Sequence, residues 1–183
     1  YWELQSAQFH PELTDLAYFG ITIGADGSYV RTQSDGEPDV GTRRADSTAT
    51  DALQRKLQLN DVGYHLVYKQ FNNDDINAFL KSPAAQDRFV ESVAATLGQE
   101  DIAGINMDIE YSGSNSTSLQ EPYTQLLQKL DTMLDSRYPN VTLSIDMYAS
   151  AAKNEQIWHV ADMEPYVDHI VIMAYDFHRR SST

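Results

Sequence analysis

Asn106, Asp108 and Glu110 stand at alternate positions in the run Gly104-Ile-Asn-Met-Asp-Ile-Glu110, and the residues between them are apolar. On a β-strand these three polar side chains fall on one face, at steps of roughly 6.6–6.8 Å. Ile105, Met107 and Ile109 take the other face. Unpaired charge is costly to bury, so a strand with two carboxyls and an amide on one side is a candidate acid/base site. Residue types alone leave two competing readings, an ordinary strand end with solvated carboxylates and a divalent-metal site. Two other runs end in similar chemistry. Ile170-Val-Ile-Met-Ala-Tyr-Asp176 places Val171, Met173 and Tyr175 on one face and finishes at Asp176. Thr142-Leu-Ser-Ile-Asp-Met-Tyr148 brings Asp146 and Tyr148 to its end.

These residues need strands to carry them and helices to cover those strands. Short β-branched runs alternate with helical stretches at the spacing of βα units. Strands are predicted at Leu13–Ile23, Gly63–Lys69, Ile102–Glu110, Val141–Met147 and His169–Tyr175, with a possible first strand at Tyr1–Leu4. Phe89, Val90, Val93, Ala94 and Leu97 form one helical stripe, and Tyr123, Leu126, Leu127, Leu130 and Leu134 another. Each stripe should cover the outside of a parallel sheet. The stretches Arg31–Ala45 and Ser112–Ser118 read as loops, and Trp158 reads as a core residue of a helical stretch with Ile157 and Val160. Catalytic groups of parallel α/β barrels gather at the carboxyl ends of strands, where Glu110, Tyr148 and Tyr175 all stand.

With 183 residues and 42% hydrophobic content, the chain can bury one sizeable core, so residues 1–183 are expected to form one domain. A net charge of −14 with 13 Lys and Arg argues against a nucleic-acid partner, which requires clustered cations. No run is long enough for a membrane span, and Tyr1-Trp2-Glu3 opens like a mature or trimmed end. The absence of Cys excludes disulfides, thiolate zinc sites and a cysteine nucleophile. The five His, His178 among them, show no metal-ligand spacing. Neither a metal nor another cofactor is expected.

Ala103-Gly-Ile-Asn-Met-Asp-Ile-Glu110 resembles the fourth-strand signature DGxDxDxE of glycoside hydrolase family 18, the chitinase-like (β/α)8 barrels. Met173-Ala-Tyr175-Asp176 resembles that family's sixth-strand Met-x-Tyr-Asp. The resemblance is strongest over Gly63–Asp176, and Leu13-Thr-Asp-Leu-Ala-Tyr-Phe-Gly20 looks like its second strand. Three departures stand out. Ala103 replaces the leading Asp, Asn106 replaces the middle Asp, and Tyr68-Lys-Gln-Phe71 stands where chitinases commonly carry Gly-Gly. The form Gly-x-Asn-x-Asp-x-Glu, with Met-x-Tyr-Asp-x-His at Met173–His178, looks closer to bacterial N-acetylglucosaminidases that cleave peptidoglycan and spore cortex.

The resemblance implies an α/β fold, a (β/α)8 TIM barrel. A complete barrel takes about 250 residues, so this one is expected to be truncated after about strand six, with open sheet edges available for self-association. It also implies cleavage of β-1,4-linked N-acetylglucosamine in chitin or peptidoglycan, with a polysaccharide as partner and a setting outside the cell or at its wall. In this family the substrate's acetamide oxygen is the nucleophile. Glu110 would then be the general acid/base, Asp108 would orient the acetamide, and Tyr175 would donate its hydroxyl to the acetamide oxygen. Asn106, Asp146, Tyr148, Met173 and Asp176 would bind or support. Asn106 is expected to pair with Asp108 as a neutral partner, leaving Asp108 ionised over a wider pH range than a middle Asp would. A rival reading is a sugar-binding lectin on the same fold.

Overall fold

The computed structural model describes residues 9, 12–114 and 116–175. The strand expected at Tyr1–Leu4, together with Asp176 and His178, lies outside the described residues. Five parallel strands form one sheet: β1 (Asp15–Thr22), β2 (Gly63–Gln70), β3 (Gly104–Ile109), β4 (Thr142–Tyr148) and β5 (His169–Met173). Their order across the sheet is their order in sequence, so each connection runs over the same side and carries helices with it. β5 stops two residues short of the expected Tyr175.

The helices are α1 (Val40–Ala45), α2 (Thr48–Gln58), α3 (Asn73–Leu80), α4 (Pro83–Leu97), α5 (Gln120–Arg137) and α6 (Val160–Met163). Their starts are written in the sequence. The Asn72 side chain accepts from the amides of Asp74 and Asp75 at the head of α3, and Ser82 caps α4 ahead of Pro83 at its first turn, both common N-terminal devices. Both expected stripes are buried: Phe89, Val93 and Leu97 on α4, and Tyr123, Leu126, Leu127, Leu130 and Leu134 on α5. They pack on the outer sheet face, where Leu66, Tyr68, Ile105, Met107, Ile109 and Ile145 are buried. That layer is the hydrophobic core.

Three expectations are corrected here. Val40–Ala45, read as loop, is a helix: Asp39 caps it by accepting from the Thr42 amide at 2.8 Å. Gly41 lets it lie against β1, since a Cβ there would run into the carbonyl of Gly20. Within the other expected loop, Ser116–Leu119 forms a 3-10 turn that runs into α5. Trp158 is buried as expected, but in the turn that precedes α6 rather than in a helix.

Candidate active site

The register fixes which side chains share the inner face. Val67 pairs with Asn106 and Lys69 with Asp108, Asn106 pairs with Ser144, and Asp146 and Tyr148 pair with Val171 and Met173. Parallel partners point the same way, so the polar face of β3 meets those of β2 and β4. Gly104 opens that face, because a Cβ there would collide with His65 and Thr142. Toward the carboxyl ends stand Asp108, Asp146, Glu110 and Tyr148. The Tyr148 hydroxyl donates to Glu110 Oε2 at 2.6 Å, and its ring packs edge-on against buried Trp158 with centroids 5.0 Å apart. One oxygen of the Glu110 carboxyl is thereby held and the other is free of Tyr148. The strand-end loop is tied down where the Ser112 amide donates to Asn73 Oδ1 at 3.0 Å.

Asn106 does not pair with Asp108 as expected. Its Nδ2 donates to Ser144 Oγ at 2.9 Å and to Asp146 Oδ1 at 3.0 Å. The reason is the β3–β4 register, which sets the amide between these two side chains and points it across to the neighbouring strand. Asp108 is buried, and its Oδ1 has no hydrogen-bond partner. Burial, then the charges of Asp146 and Glu110, push its carboxyl up to about 7, against a pull downward from Lys69. Burial raises Asp146 as well, opposed by the Asn106 amide and reinforced by Glu110. Burial and the bond to Glu110 raise the Tyr148 hydroxyl, keeping it a donor. Near neutral pH the face therefore holds a carboxyl poised between its two forms beside a second carboxyl fixed by a phenol, a pairing suited to proton transfer.

Of the residues singled out from sequence, Asn106, Asp108, Glu110, Asp146 and Tyr148 come together. Met173 lies beside Tyr148 and is nearly buried. Tyr175 follows β5, 67% exposed, and near enough to Tyr148 to act on its hydroxyl electrostatically. Asp176 lies outside the described residues. Sequence reading missed Ser144, although it stands two residues before Asp146 on the same face. It also missed Lys69, whose ammonium lies 5.1 Å and 5.3 Å from the ring centroids of Phe19 and Phe71. Among the described residues no three His, Asp or Glu side chains converge as metal ligands. No described helix is long and apolar enough to cross a membrane.

A sequentially ordered parallel βα sheet with carboxyls at its strand ends defines a protein of the βα-barrel class. The chain belongs to the glycosyl hydrolases family 18, whose model matches residues 69–183. Its fold is similar to that of a Group IV chitinase of Ostrinia furnacalis solved with allosamidin, at TM-score 0.77 and 19% identity, over 96% of this chain and 47% of that one. A chitinase of Bacteroides thetaiotaomicron gives TM-score 0.75 and 14% identity, over 96% and 51%. The spore cortex-lytic enzyme SleL of Bacillus cereus gives 0.69 and 22%, over 91% and 35%. The chain thus spans about half or less of these structures.

Proposed function

We propose that the protein is a retaining glycoside hydrolase of β-1,4-linked N-acetylglucosamine polymers, chitin or peptidoglycan, working outside the cell or at its wall. The observation that carries this reading is the Glu110 carboxyl, held by Tyr148 at a strand end with Asp108 beside it on the same face. Glu110 donates its proton to the glycosidic oxygen as that bond to the anomeric carbon breaks. The substrate's own acetamide oxygen forms the new bond to that carbon, giving an oxazolinium ion. Asp108, ionised, accepts the acetamide N–H and offsets the positive charge, and Tyr175 donates its hydroxyl to the acetamide oxygen. Glu110 then takes a proton from the water that opens the ring, which restores the acid. Asn106 and Asp146 support Asp108, and Met173 and Asp176 shape the sugar's seat.

The test is mass spectrometry of products after incubation of the native-length protein and its Glu110→Gln variant with chito-oligosaccharides and with peptidoglycan. Loss of a general acid lowers kcat by roughly 10²–10⁴-fold, so cleavage by the parent that disappears in a folded variant supports the reading. Binding of both glycans with no cleavage by the parent overturns it in favour of a lectin. Cleavage abolished by a chelator overturns the metal-free mechanism.

A further inference from the structure

We infer that Lys69, held over the paired rings of Phe19 and Phe71, forms a sugar subsite that selects a carboxylate-bearing N-acetylated glycan over a neutral one. The inference rests on the proposed function for its glycan and deepens it by naming the substrate class. Phe19 and Phe71 lie with centroids 6.2 Å apart and planes 21° apart, and both are exposed, 55% and 44%. Phe71 follows the carboxyl end of β2, and Phe19 stands within β1 at the level of Val67; the exposed parts of the two rings suit the C–H face of a pyranose. The Lys69 ammonium sits above the pair, on the inner face opposite Asp108. Among the described residues it makes no hydrogen bond or salt bridge. Ring quadrupoles hold a cation in place without consuming its N–H donors, so this ammonium stays available to a ligand.

The surrounding charge sharpens the point. A chain of net charge −14 has no general attraction for anions, so a preference for a carboxylate has to come from a local cation, which Lys69 supplies. Asp108, pushed up to about 7, does not neutralise Lys69 fully near neutrality. A neutral glycan gains no charge-assisted bond from an ammonium there, whereas a carboxylate on the sugar does.

The experiment uses the native-length protein carrying Glu110→Gln, so that nothing turns over, and measures Kd by titration calorimetry. The probes are peptidoglycan strands stripped of their peptide stems, which keep the lactyl carboxylate, and the same strands with that carboxyl converted to an amide. A charge-assisted bond corresponds to roughly tenfold or more in affinity, so the charged strand is expected to bind at least about tenfold tighter. Lys69→Met should bring the ratio near one and Lys69→Arg should preserve it. Any effect of Lys69 on Asp108 touches both probes alike and cancels in the ratio. A ratio near one in the parent, a ratio that survives Lys69→Met, or no binding of either strand overturns the inference. Cleavage by the unmutated protein without charge preference sinks this inference alone. Charge preference without cleavage sinks the hydrolase reading and leaves this one standing.

Discussion

Asn106 shows how a single atom type resets a carboxyl cluster. Its amide donates to Asp146, a neutral contact where a fourth carboxyl would add charge beside Asp108. Asn106→Asp is therefore expected to move the acid limb of the kcat/KM profile to higher pH, and an unmoved limb would show that position 106 has no electrostatic hold on the site. Asp108 makes a stability prediction with a definite sign. Its carboxyl lies at 3.8 ordinarily and about 7 in the fold, so the native state binds more protons across that window. Stability falls as pH rises from about 4 to about 7. Urea midpoints should track this fall, and Asp108→Asn should flatten it in part, since Asp146 is raised too. Tyr148→Phe keeps the ring against Trp158 but removes the donor to Glu110. It should lower kcat by up to roughly tenfold, the worth of one hydrogen bond that positions the acid, with thermal stability nearly retained. Alternation alone made Asp108, Glu110, Asp146 and Tyr148 legible. The partner of Asn106 was not, because it depends on how β3 and β4 register, which no single strand encodes.

Among the elements, α5 carries the plainest sequence signal and a large share of the core, with six buried side chains from Tyr123 to Leu134. Leu130→Ala opens a cavity where nothing is exposed and should destabilise by about 2–5 kcal/mol in urea unfolding. Gln128→Ala, two residues away on the exposed side, should stay within about 0.5 kcal/mol. All five strands within the described residues follow from β-branched runs, and α4 and α5 from their stripes. Helix α1 was illegible for a reason the structure makes plain. Its six residues are too few to show a stripe, and what holds them is tertiary: the Asp39 cap and the Tyr18 hydroxyl on the Gly41 carbonyl at 3.0 Å. Trp158 was readable as core but not as turn, because its partner, Tyr148, comes from another element.

Across the whole molecule, the sheet presents apolar surface at β5, where Val171 and Ile172 are 47% and 55% exposed. Exposed apolar edge strands favour association. Sedimentation of the 183-residue chain is expected to show mass rising with concentration, and the double change Val171→Lys, Ile172→Lys to reduce it. A monomer at every concentration would refute this. The order β1-β2-β3-β4-β5 has a consequence in time. Among the described residues each strand pairs with the strand that precedes it in the chain, so the sheet can add its strands in the order of synthesis. Glu110 and the phenol that holds it are 38 residues apart, so they can meet on a growing chain as soon as Tyr148 has cleared the ribosome, before Tyr175 has done so. The Glu110–Tyr148 pair would then be assembled first and Tyr175 added to it, a two-stage maturation that arrested nascent chains of increasing length could display.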